Sequence, residues 1–67
     1  MDKPMKLWEV VRGFETGSYL HDEWFVNDHG QEVGFDGVNL IGIEKADVNA
    51  EYRYAGVRVV RPIFKSA

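Results

Sequence analysis

The sequence contains no cysteine and only two prolines, and it has no long apolar run. Without cysteine, the chain has neither disulfide bonds nor thiolate ligands for a metal, which excludes the sulfur-based reinforcement common in very small domains. The longest stretch without a charged residue, residues 37–43, is far below the roughly 20 apolar residues of a membrane-spanning helix. The first residues carry no signal-peptide pattern. These absences predict a cytoplasmic protein with no membrane association.

The composition indicates a folded chain. With 67 residues, of which 45% are apolar and 28% charged, the sequence can build one small hydrophobic core and no second domain. Its seven glycines separate short segments rich in aromatic and β-branched residues, which favour β-strands. The sequence therefore predicts a small β-rich single domain over residues 1–67, α+β or all-β, built on a twisted antiparallel sheet of about four strands.

Turn chemistry predicts two consecutive hairpins in the middle of the chain. The run Asn-Asp-His-Gly at residues 27–30 tolerates the backbone angles of a tight turn, and Asp36-Gly37 provides a second turn. Near the C-terminus, the doublet Val59-Val60 predicts a β-bulge, and Pro62 predicts the end of an edge strand. The predicted strands are residues 6–14, 23–26, 31–35, 38–44 and 57–61.

Residues 47–56 allow two interpretations. Asp47 as an N-cap and Gly56 just past the end would bound a helix of two turns, which the pattern slightly favours. In a strand, by contrast, Tyr52 and Tyr54 would share one face. The preferred prediction is one short helix before the last strand.

Charge is segregated along the chain. Residues 15–51 carry nine acidic side chains against Lys45 alone, a net charge of −8, whereas residues 52–67 carry four basic side chains and no acidic one. In one interpretation these blocks neutralise each other across paired strands. In the other, acidic hairpins stay exposed and attract a partner protein with a basic surface. The predicted acidic contact residues are Asp22, Glu23, Asp28, Glu32 and Asp36.

Aromatic residues complete the predicted contact surface. Trp24 and Phe25 are neighbours on one strand and point to opposite faces, so a sheet covered on one side only cannot bury both. We therefore expect them to supply affinity at the partner site. Trp8 and Phe35 are assigned to the core.

Two other functions fit parts of the sequence. The basic C-terminal region interleaves cations and aromatics as single-strand nucleic-acid binders do, although the net charge of −3 and the acidic block disfavour nucleic acid. The residues of that alternative face are Tyr52, Arg53, Tyr54, Arg58 and Arg61. Alternatively, the protein is a structural subunit, in which the edge strand ending at Pro62 pairs with a copy of itself to give a homodimer, or with a larger assembly.

Catalytic and metal-binding patterns are weak. Ser18, His21 and Asp22 are the residue types of a hydrolytic triad, but triads are assembled by the fold and not by adjacency in sequence. The seven residues between His21 and His29 fit no compact ligand motif. We expect no catalytic site, no metal and no cofactor.

Residues 55–62, Ala-Gly-Val-Arg-Val-Val-Arg-Pro, resemble the final strand of formylglycine-generating and related C-type-lectin-like domains. That fold is much larger than this chain, so the resemblance carries over neither catalysis nor ligand sites. In general character, the short, acidic, cysteine-free chain also resembles small phage proteins that bind and inhibit host enzymes. The sequence thus predicts a non-enzymatic interaction module, a regulator or inhibitor that docks on a basic region of a partner protein.

Overall fold

The computed structural model describes residues 3–58 and contains a curled antiparallel sheet with one α-helix. In chain order the elements are β1 (Met5–Lys6), α1 (Leu7–Glu15), β2 (Glu23–Asn27), β3 (Glu32–Phe35), β4 (Leu40–Ile41), a 3-10 helix (Ile43–Lys45) and β5 (Glu51–Val57). The strand order is β1-β5-β2-β3-β4, and each neighbouring pair is antiparallel. The predicted β-rich fold with a twisted antiparallel sheet is confirmed, with five strands in the described part of the chain.

The hairpin between β2 and β3 follows the predicted turn chemistry. The side-chain oxygen Oδ1 of Asn27 accepts hydrogen bonds from the backbone N–H groups of His29 and Gln31, each at 2.9 Å. Gly30 has a φ of 76°, a conformation that glycine adopts without steric cost. The strand predicted over residues 38–44 is shorter in the structure, because Gly42, with a left-handed backbone, ends β4 and starts the 3-10 helix.

The strand predicted over residues 6–14 is wrong, because this segment forms helix α1. Leu7, Val10 and Phe14 follow the helical spacing i, i+3, i+7 and are buried on one side of α1. At the first turn, the Glu9 carboxylate accepts the backbone N–H of Lys6 at 2.8 Å, which satisfies a donor that the helix itself leaves open. Helical periodicity and this cap therefore outweigh the strand preference of the valines and Trp8.

The helix predicted over residues 47–56 is also wrong. Most of this segment belongs to β5, which pairs with β1 on one side and β2 on the other. Tyr52 is fully buried, and its hydroxyl donates to the carbonyl oxygen of Asp47 at 2.8 Å and accepts from Asn27 at 3.1 Å. Pairing with two strands stabilises this segment through contacts distant in sequence, which local helix signals do not contain.

A β-bulge lies in β5. Trp24 pairs with Gly56 and Phe25 pairs with Tyr54, so Ala55 is an extra residue in β5. Most of the predicted final strand, including the bulge proposed at Val59-Val60 and the edge at Pro62, lies outside the described residues.

The core lies between α1 and one face of the sheet. Its buried apolar side chains are Leu7, Val10, Phe14, Phe25, Val33 and Tyr52. The rings of Phe14 and Phe25 meet edge to face with centroids 5.8 Å apart. Full burial of side chains of this size contributes roughly 1.5–3 kcal/mol each. The opposite face of the sheet, which we call the outer face, carries Trp24 and Val26 and has no helix packed on it among the described elements.

Candidate functional site

The two aromatic residues that were predicted to contact a partner lie on opposite faces of the sheet. Phe25 is only 1% exposed and belongs to the core, so it has to be removed from the predicted contact surface. Trp24 lies flat on the outer face above Gly34, where an added Cβ would approach the indole carbons to 2.6–2.8 Å. Its Nε1 donates to the carbonyl oxygen of Arg58 at 3.3 Å, and the Arg58 guanidinium lies 4.6 Å from the ring centroid. The chain itself therefore occupies much of the Trp24 surface.

Two of the predicted acidic residues are neutralised by arginines. An oxygen of Asp28 lies 3.4 Å from an Arg53 nitrogen, and an oxygen of Glu32 lies 3.1 Å from an Arg58 nitrogen. We call these four residues the paired face. Both arginines come from the basic C-terminal block of the sequence, so the interpretation of mutual neutralisation holds at this surface.

The other three predicted acidic residues meet at one end of the sheet. The backbone N–H of Asp22 donates to the carbonyl oxygen of Phe35 at 2.8 Å, which joins the loop before β2 to the end of β3. The His21 ring then lies beside Gly37 in the next loop. We call residues 20–23 together with residues 36–39 the acidic end.

Neutral donors hold the carboxylates of Glu23 and Asp36. Asp36 accepts the backbone N–H groups of Val38 and Asn39 at 2.8 and 2.7 Å, and these hydrogen bonds lower the pKa of the Asp36 carboxyl. Glu23 accepts the N–H of Leu20 at 2.6 Å and the hydroxyl of Tyr54, a bond that raises the pKa of Tyr54. A neutral donor stabilises a carboxylate without cancelling its charge.

Exposed aliphatic side chains accompany these charges. Leu20 is 69% exposed and Val38 is 81% exposed, both within the acidic end. Val57, which pairs with Glu23 across β5 and β2, is 63% exposed. The acidic end therefore combines negative charge with accessible apolar surface. Sequence reasoning missed these aliphatics, although the position of Val38 between Asp36-Gly37 and Asn39 was a signal for a loop tip.

The four described residues of the predicted nucleic-acid face do not form one exposed surface. Tyr52 is fully buried and cannot stack on a base, and Tyr54 is 43% exposed. Arg53 and Arg58 belong to the paired face, where carboxylates compensate their charge. Arg61 lies outside the described residues.

Strand β5 has an unpaired edge within residues 3–58. β1 covers β5 only at residues 51 and 52, so residues 53–57 of β5 have a strand partner on the β2 side alone within the described fold. Pro4 stands where β1 would continue opposite Arg53, and its missing N–H ends the ladder there. The edge predicted near Pro62 lies outside the described residues.

The residue types of a triad or a metal site do not come together. Within residues 3–58, the Ser18 hydroxyl lies 3.2 Å from that of Thr16, and His21 contacts Asp22 at 3.3 Å, with no hydrogen bond from Ser18 to His21. His29 contacts Asp47 at 3.4 Å. In the same part of the chain, no three His, Asp or Glu side chains are grouped closely enough to hold a metal ion.

Comparisons of the chain with protein-family models, curated proteins and solved structures find no match. None of the helices in the described region has the length and apolar character needed to cross a membrane.

Proposed function

We propose that the protein is a non-enzymatic interaction module, a regulator or inhibitor, that docks through its acidic end onto a basic surface of a partner protein. The observation that supports this proposal is the juxtaposition of the Glu23 and Asp36 carboxylates, held by neutral donors, with the exposed side chains of Leu20 and Val38. The charges would steer the encounter and select the partner, and the apolar side chains would supply affinity. A cytoplasmic location is part of the proposal and agrees with the lack of cysteine.

The acidic end suits this role better than the paired face. A basic partner that approached Asp28 or Glu32 would have to displace Arg53 or Arg58 and would gain little net attraction. At the acidic end it meets the carboxylates of Glu23 and Asp36, which accept hydrogen bonds from neutral donors and keep their negative charge. The loop of residues 36–39 is also fixed by its own hydrogen bonds, which reduces the ordering cost of binding.

Titration with a synthetic amphipathic peptide of alternating Lys and Leu tests the proposal. In amide NMR spectra we expect the largest shifts in residues 20–23 and 36–39. The double variant Glu23→Gln/Asp36→Asn should bind this peptide about tenfold more weakly, which corresponds to about 1.4 kcal/mol. The control Asp28→Asn/Glu32→Gln makes the same change of net charge on the paired face and should bind within about twofold of the unmodified chain.

Two results would contradict the proposal. One is a set of shifts that follows β5 and the paired face instead of the acidic end. The other is equal weakening by both double variants, because that would reflect net charge alone. A single-stranded oligonucleotide serves as a second probe, and binding tighter than that of the peptide would favour the nucleic-acid alternative. Capture of partners from lysate at low and high salt, with Leu20→Ser/Val38→Ser as the comparison, then identifies the natural ligand.

A further inference from the structure

Helix α1 presents an apolar face that points away from the core. Trp8 is 63% exposed, and Val48, which follows the 3-10 helix, is 66% exposed. These two side chains line a groove of about 480 Å³ that runs beside α1, with Val11 and Ile43 in its walls. We call this surface the Trp8 face. It lies on elements other than the acidic end and shares no residue with it.

Trp8 has open space on both sides. A second groove of about 330 Å³ runs along its other flank, next to Met5, Gly13 and Tyr19. An indole in this position contributes a large apolar area that packing within its own chain leaves in contact with water. In a chain this small, a contiguous exposed apolar patch marks a contact surface more often than a single exposed apolar residue does.

Charge on the Trp8 face is complementary to itself. Arg12 and Glu15 are exposed, lie three positions apart on α1 and share the side of the helix that carries Trp8. Neither side chain forms an ion pair with another described residue. A two-fold axis that crosses α1 between them would place Arg12 of one copy beside Glu15 of the other, twice. A uniformly basic or acidic partner would satisfy only one of the two charges.

We propose that a second copy of this chain covers the Trp8 face in a two-fold symmetric dimer. Oligomerisation is one of the ways in which small domains without disulfides or metals extend their core. The face offers one tryptophan and a few aliphatic side chains, whereas a standard stable interface buries about 800 Å² per partner. The dimer is therefore weak and dissociates on dilution.

Sedimentation velocity of the full chain from about 10 µM to about 1 mM tests this proposal. We expect the sedimentation coefficient to rise from that of a monomer to that of a dimer across this range. Trp8→Lys should lower the association constant at least about tenfold, because it replaces the largest apolar side chain of the interface with a charge. The control Ala55→Lys adds the same charge at an exposed residue of β5, outside both the Trp8 face and the acidic end, and it should leave association unchanged. Circular dichroism verifies that both variants are folded.

A charge swap tests the pairing of Arg12 with Glu15. Arg12→Glu and Glu15→Arg should each weaken association, and the double variant Arg12→Glu/Glu15→Arg should restore it, because its net charge equals that of the unmodified chain and both contacts again join opposite charges. Three results would overturn the proposal: an unmodified chain that stays monomeric at all concentrations, undiminished association of Trp8→Lys, or a double variant as weak as the single ones. None of these changes touches the acidic end, so peptide binding there is a separate result.

Discussion

At the acidic end, Glu23 and Asp36 accept hydrogen bonds from neutral donors, whereas on the paired face Asp28 and Glu32 lie within 3.4 Å of arginine nitrogens. All four carboxylates belong to the same acidic block of the sequence. The difference arises from Arg53 in β5 and Arg58 directly after it, which lie next to Asp28 and Glu32. Within residues 3–58, the segregated charge pattern therefore becomes a surface feature at Glu23 and Asp36, where strand pairing brings no arginine to the carboxylate.

The two regions also differ in how their loops are held. The hairpin next to Asp28 depends on Asn27, a side chain only 6% exposed whose amide contacts Gln31 and Tyr52. The loop of the acidic end depends on a single exposed carboxylate, that of Asp36, and on the left-handed backbone of Gly37. One loop is thus tied to the core, and the other is organised locally.

The largest expected effect comes from Asn27→Ala, which breaks the anchoring of the paired-face hairpin. The change removes four hydrogen bonds made by a buried amide and leaves the Tyr52 hydroxyl with one partner fewer. We expect the free energy of unfolding to fall by about 2–4 kcal/mol, measured by urea denaturation. Asn39→Ala is the control, because the contacts of Asn39 are made by its backbone, and it should change stability by less than about 0.5 kcal/mol. A loss below about 1 kcal/mol in Asn27→Ala would contradict the anchoring role.

A smaller effect is expected when a carboxylate of the paired face loses its arginine and so resembles the carboxylates of the acidic end. Arg58→Gln removes the countercharge of Glu32 and the cation above Trp24, and it should lower stability by about 0.5–1 kcal/mol in urea. The basic peptide should then also shift amide signals around Glu32. Lys45→Gln makes the same charge change at a side chain without an ion pair among residues 3–58, and it should extend the binding surface much less. Identical peptide maps for the two variants would speak against neutralisation by Arg58.

The smallest effect concerns the pH dependence of the Asp36 loop. Hydrogen bonds from Asn39 and Val38 lower the pKa of Asp36 below its ordinary 3.8, so the folded state favours the charged form. This stabilisation is fully present above the unfolded pKa and disappears as the pH falls through the lower, folded pKa. The melting temperature of Asp36→Ala should therefore lie below that of the unmodified chain at pH 7, and the difference should shrink in strong acid. Asp36→Asn keeps an acceptor oxygen and should show an intermediate difference. A gap of equal size at both pH values would exclude the charged carboxylate as its cause.

Local chemistry explains which parts of the fold were predictable. The hairpin of β2 and β3 follows from its turn residues, since the Asn27 side chain and Gly30 act within a few positions of each other. Helix α1 was missed because valines and Trp8 favour strands, although the buried spacing of Leu7, Val10 and Phe14 was visible in the sequence. The identity of β5 depends on its pairing with two distant strands, and no local pattern specifies that pairing.

The candidate surfaces were predictable only in part. The sequence indicated the acidic side chains and their positions near hairpins. It did not indicate that Glu32, unlike Asp36, lies beside an arginine, because that difference depends on the position of Arg58 after β5. The exposure of Trp8 follows from the helix, so an incorrect strand assignment concealed the Trp8 face. Phe25 is buried, and Trp24 is not, because α1 covers the face of the sheet that carries Phe25. The sequence alone does not indicate which of the two faces the helix covers.

Because Trp24 packs on Gly34, its fluorescence can be distinguished from that of Trp8. Its indole is shielded by backbone and by a guanidinium, whereas the indole of Trp8 stands in solvent. A soluble quencher should reduce the fluorescence of Trp8 at lower concentrations than it reduces the fluorescence of Trp24. The fluorescence of the shielded Trp24 then reports unfolding, and the fluorescence of the exposed Trp8 reports self-association. Neither measurement needs an attached dye.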